Sequence, residues 1–210
     1  MTGGWLAACG VCGGLLGFVG HDLAHRVVAK PVSAWWSGIP FSLGLTAVVM
    51  VALGWRFGLQ WELLPYGVLA MLAVPLTVAD LAERRLPSRV VLPLYPVLAG
   101  LFAVMATLRH DPGDFGRAIL GMVVLAGFHL ALALLVPAGM GAGDVKLAGV
   151  VGLAAGWHGW ASVIGTLVWS ALAGVLASCV SRLRKRTVDS IPYGPCLLAG
   201  LFIAVVFDAC

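Results

Sequence analysis

Apolar runs long enough to cross a bilayer follow one another along almost the whole chain. A helical span needs about 20 apolar residues, with a range of roughly 17 to 25. The runs cover residues 3–20, 39–55, 63–79, 90–108, 118–136, 145–157, 160–180 and 191–210. The sixth is short, so seven spans is the alternative count. The links between them are polar or aromatic. Trp55, Phe57 and Trp61 sit at one link in the positions of an interfacial belt. Asp111-Pro112-Gly113-Asp114 forms a turn signature at another. Charged residues are only 10% of the 210 and hydrophobic ones 61%, whereas a soluble domain carries about 25% charged residues. The expected fold is all-α: one polytopic membrane bundle over residues 1–210, with about eight transmembrane helices. The first run lacks a basic start, so no cleavable signal peptide is expected.

The net charge is +4. In a chain of this kind it points to cytoplasmic loops rather than to nucleic acid. With the N-terminus outside and eight alternating spans, the inner loops hold ten Lys and Arg: Arg26, Lys30, Arg84, Arg85, Arg89, Lys146, Arg182, Arg184, Lys185 and Arg186. The outer loops hold three, Arg56, Arg109 and Arg117. That bias gives an N-out, C-out orientation and places Asp80 and Asp144 on one side, near the cytoplasmic face.

Those two aspartates are the candidate chemistry. Asp80 closes the third run, and Asp144 opens the sixth inside Gly139-Met140-Gly141-Ala142-Gly143-Asp144-Val145-Lys146. Three glycines in five residues argue against a stable helix at that point, because glycine loses the most backbone entropy on ordering. Gly141 and Gly143 read instead as a bare-backbone approach site beside an ionisable group, which is costly in such surroundings and needs a reason. Two close carboxylates share a proton and titrate as a pair. In that state the ionised one takes a proton from water while the protonated one polarises a scissile carbonyl. No metal or nucleophilic side chain is required. Lys146 either biases which aspartate is ionised or snorkels to the interface.

The remaining polar residues read blandly. Cys9 and Cys12 form a lone CxxC inside an apolar run, without the four ligands a zinc site needs. Neither a metal nor another cofactor is expected. The five histidines read as packing or loop residues, with His129 hydrogen-bonded inside the fifth run. Gly13-Gly14 and Gly17 read as close helix contacts.

Gly141-Ala142-Gly143-Asp144-Val145-Lys146 resembles the GxGD motif of the type IV prepilin peptidases. Asp80 followed by Arg84-Arg85-Leu86-Pro87-Ser88 resembles that family's other aspartate and its basic, apolar, Pro-Asn turn, with Ser88 where Asn is more usual. Ile191-Pro192-Tyr193-Gly194-Pro195 resembles its Pro-aromatic-Gly-Pro motif. The segment 17–26 faintly resembles the end of its first span, with His21 where Asn is common. The resemblance implies an aspartic peptidase in the cytoplasmic membrane that removes the basic leader of prepilin-like proteins. Asp80 and Asp144 would be catalytic. Gly141, Gly143, Lys146, Pro192, Tyr193, Gly194 and Pro195 would shape the site or bind substrate. Relatives that also methylate carry a cysteine-bearing cytosolic insert after the first span. The link 21–39 has no cysteine, so a peptidase without N-methyltransferase activity is expected. A proton-coupled channel or transporter is the competing reading, because intramembrane aspartates beside a broken helix also mark ion paths. A non-catalytic assembly scaffold is the third.

Overall fold

A computed structural model describes residues 3–28, 37–135, 140–183 and 192–207. Among them it contains eight helices and no strand. In order they are α1 (Gly3–Val27), α2 (Ile39–Phe57), α3 (Leu63–Glu83), α4 (Ser88–Arg109), α5 (Pro112–Leu135), α6 (Ala142–His158), α7 (Trp160–Leu183) and α8 (Gly194–Phe207). Six are long and apolar enough to cross a membrane. The exceptions are α6, with 17 residues, and α8, with 14. Most of the basic loop before α8, the link 29–36, Pro137, Ala138, Gly139, Ile191 and Cys210 lie outside the described residues.

The helices follow the apolar runs but overrun their ends. The polar patch after the first run continues α1 rather than ending it. His21, Asp22, His25 and Arg26 are all helical, and Asp22 pairs with Arg26 one turn on at 2.7 Å. Polarity marks where a helix leaves hydrocarbon, not where its backbone bonds stop. In the same way Pro112 begins α5, with Asp114 in its first turn. Pro75, Pro93 and Pro96 lie inside helices, as membrane helices tolerate.

The chain divides into two compact units, Met1–Glu83 and Arg84–Cys210. In the first, α1 packs on α2 and α3 through buried glycines. A methyl on Gly17 would lie 2.7 Å from the Ser42 carbonyl oxygen, and one on Gly20 would lie 2.6 Å from that of Met71. Small residues let membrane helices approach this closely. Gly13 serves the same contact, but Gly14 faces open space.

In the second unit α6 is the central helix, packed by α4, α5, α7 and α8. Its residues from Leu147 to Trp157 are all buried. A helix apolar on every side belongs in such a position. Large apolar residues on α5 and α7, such as Leu134, Ile164, Val168 and Val175, are exposed, as befits surfaces facing lipid.

The C-terminal end of α6 is held by one side chain of α5. Arg117 donates through Nε to the Gly156 carbonyl at 2.9 Å, and through an Nη to the Trp157 carbonyl at 3.0 Å and Asp114 at 2.7 Å. These carbonyls belong to the last turn, which lacks intrahelical donors and carries the negative end of the dipole. Arg117→Met is expected to lower the unfolding free energy by about 2–3 kcal/mol, the scale of charge-assisted bonds to otherwise unpaired carbonyls. Arg117→Lys should recover only part of it, because an ammonium lacks the planar fork. Thermal unfolding in detergent reads both, and equal stability of Lys and Arg at 117 would refute the fork.

Candidate active site

The Gly141-Ala142-Gly143-Asp144 string builds the first turn of α6. Gly141 is the N-cap, with an extended backbone at φ −79° and ψ 150°. Its carbonyl accepts from the Asp144 N–H at 3.0 Å, and its own N–H donates to Asp144 Oδ2 at 3.2 Å. This is the reach-back half of a capping box, with Asp at N3. The glycine-rich stretch therefore does enter a helix, contrary to the expectation from composition. Only Gly143 falls inside it, in a turn whose N–H groups lack intrahelical partners in any case. The N3 carboxylate offsets the entropy cost through the helix dipole.

The other carboxylate oxygen is the unusual atom. Asp144 Oδ1 is buried and has no hydrogen-bond partner among the described residues. Buried polar atoms are normally paired, and an orphan needs an explanation. One oxygen is fixed by a peptide N–H while the other is left to accept or deliver a proton.

Three contacts from one neighbouring stretch bear on this turn. The Leu86 backbone and Cβ lie against Gly143, so that a methyl there would come within 2.9 Å of Leu86 Cβ and 3.3 Å of its N and O. Gly141, by contrast, faces no such neighbour. Lys146 Nζ donates to Ser88 Oγ at 2.9 Å. The Tyr95 hydroxyl donates to the Lys146 carbonyl at 2.7 Å and fills the space over Gly149. Lys146 is half-buried and directed at α4 rather than stretched outward. Nothing in its sequence neighbourhood marks Ser88 or Tyr95 as its partners.

Pro192-Tyr193-Gly194-Pro195 opens α8. The Tyr193 carbonyl accepts the Leu197 N–H at 3.0 Å, and Pro195 sits just inside the helix, where its missing N–H costs nothing. The Tyr193 hydroxyl donates to Ser170 Oγ on α7 at 3.2 Å, and its ring lies 5.8 Å from that of His129 on α5. His129 is fully buried. Its Nδ1 lies 2.8 Å from the Leu125 carbonyl, and its Nε2 is unpartnered among the described residues.

Asp80 belongs to the first unit. It lies near the end of α3, closing a buried stretch from Ala73, and is 4% exposed. The described residues hold no cluster of three or more His, Cys, Asp or Glu able to bind a metal. Among the described residues Cys9, Cys12, Cys179 and Cys196 form no disulfide.

Apolar helices and a carboxylate at a glycine-capped helix start define a polytopic membrane protein with a candidate acid–base group. Residues 67–179 match the type IV leader peptidase family, and the chain belongs to that family. It is 33% identical over 172 residues to a prepilin leader peptidase/N-methyltransferase of Pseudomonas aeruginosa, covering 77% of this chain and 56% of that one. The same-named protein of Bacillus subtilis is 29% identical over 164 residues, covering 78% and 63%. That of Escherichia coli K12 is 27% identical over 175 residues, covering 81% and 74%. The chain thus spans less than two thirds of the first two relatives. No solved structure matches it significantly.

Proposed function

We propose that this chain is a leader peptidase of prepilin-like proteins. In this reading it hydrolyses the peptide bond between a basic leader and the hydrophobic helix that follows. It does so at the cytoplasmic face of the cell membrane, with the N-terminus outside. The observation that carries the reading is the Asp144 carboxylate, with Oδ2 fixed by the Gly141 N–H and Oδ1 buried without a partner.

Asp80 and Asp144 act as a pair with one proton between them. The ionised carboxylate takes a proton from water as its oxygen bonds to the scissile carbonyl carbon. The protonated one gives its proton to the carbonyl oxygen. As the tetrahedral intermediate collapses and its C–N bond breaks, the carboxyl protonated by water gives its proton to the leaving nitrogen and the other carboxylate takes one from a hydroxyl of the intermediate, which restores the shared-proton state. Gly143 keeps the backbone beside the aspartate bare. Tyr193 forms part of the wall. We assign hydrolysis without N-methylation, since residues 28–38 linking α1 and α2 contain no cysteine.

The test is cleavage of a synthetic prepilin-like peptide, basic leader plus apolar segment, by the purified chain in detergent. A single cut at the leader boundary, insensitive to chelators and to serine and cysteine protease reagents, is the expected result. Proton flux into vesicles without any cleavage would overturn the reading.

A further inference from the structure

We propose that Ser88 is a positioning residue for Asp144. It holds the Lys146 ammonium and so fixes the opening turns of α6 in the orientation that leaves Asp144 Oδ1 available.

The two residues are 58 apart in sequence, yet Nζ and Oγ lie 2.9 Å apart. Successive residues on an α-helix turn by about 100°, so residue 146 projects almost opposite residue 144. The lysine is thus not part of the carboxylate's immediate surroundings. It grips the far side of the same turn. Leu86 against Gly143 and Tyr95 on the Lys146 carbonyl bear on the residues flanking Asp144. Leu86, Ser88 and Tyr95 all belong to one stretch, the turn before α4 and the first part of that helix. The contacts therefore act as one brace.

Without the Ser88 hydroxyl this brace loses its polar anchor. A cation near a helix N-terminus is at the unfavourable end of the dipole. Ser88 supplies the one hydrogen bond of this ammonium among the described residues, and no ion pair replaces it. A long lysine stem released from that bond reaches for the interface instead. The first helical turn has few bonds of its own to resist fraying. A displacement of about 1 Å in a reacting group costs up to about 10²-fold in rate.

The brace is tested in two independent ways on the full chain in detergent micelles. The variants are Ser88→Ala, Ser88→Thr, Lys146→Met and the Ser88→Ala/Lys146→Met double. Amide hydrogen exchange over residues 145–148 should quicken about tenfold in each of Ser88→Ala and Lys146→Met, the scale of one charge-assisted bond. The double should be no faster than either single, and Ser88→Thr should exchange like the parent. Unchanged exchange in Ser88→Ala, or effects that add in the double, would overturn the brace. The second arm rests on the peptidase reading. Ser88→Ala should lower kcat about tenfold with KM within about twofold, and Ser88→Thr should restore it. A raised KM at unchanged kcat would place Ser88 against substrate and refute a positioning role. If the parent chain cleaves nothing while the exchange pattern holds, the peptidase reading falls and the brace stands.

Discussion

Asp144→Asn is expected to leave the chain folded and to reduce leader cleavage by at least about 10³-fold, within the range that general acid–base groups contribute. The amide has the shape of the carboxylate, and its oxygen can still accept the Gly141 N–H now bound at 3.2 Å. The helix start therefore survives, and stability should change by no more than about 1 kcal/mol. The proton chemistry does not survive, because an amide neither takes a proton from water nor delivers one to a carbonyl. Asp80→Asn should behave alike, and the double variant should be no worse than either single, since members of one catalytic unit fail together. A pair sharing a proton also gives a bell-shaped dependence of kcat/KM on pH, with both limbs belonging to the pair. In each single variant the residual activity should lose one limb. An Asn variant at either position that keeps a tenth of the parent rate would remove that aspartate from the mechanism.

Much of the fold was open to reading in the residues, for physical reasons that can be named. Hydrophobic runs report spans directly, because a bilayer sets their length. Asp80 and Asp144 stood out because ionisable groups in apolar surroundings are costly. The ends of elements were harder to place. Residues 21–26 read as a link, but the backbone bonds of α1 run on through them to Val27. The glycines before Asp144 read as helix-breaking, yet N-cap and first-turn positions tolerate what an interior does not. The partners of Lys146 left no local trace: Ser88 and Tyr95 lie 58 and 51 residues away. Nor did Gly149 announce that a tyrosine hydroxyl occupies the space above it. Periodicity reports which face is buried, and α6, buried on every face from Leu147 to Trp157, has no contrast to report.

That all-round burial makes α6 the place where one added methyl does most damage. Gly152→Ala is expected to cost about 3 kcal/mol, at the upper end of the usual overpacking range. A methyl at 152 would strike the Gly121 carbonyl oxygen and approach Leu125 Cβ to 2.9 Å, while one at Gly121 would lie 2.6 Å from the Gly152 carbonyl oxygen. The foremost obstacle is backbone, so no rotamer change relieves it, and α5 and α6 must separate. Gly127 on the same α5 provides the control, since it is exposed with nothing within 4 Å of an added methyl. There alanine should stabilise by about 0.5–1 kcal/mol through helix propensity alone. Opposite signs at 152 and 127, read by thermal unfolding in detergent, would separate close approach from the general cost of glycine in a helix. The displacement at 152 also carries the N-terminus of α6 with it. Cleavage by Gly152→Ala should therefore fall further than its unfolded fraction accounts for, while Gly127→Ala keeps the parent rate. Equal stability of the two alanine variants would mean that the α5–α6 contact has slack, and that Asp144 is not held from that side.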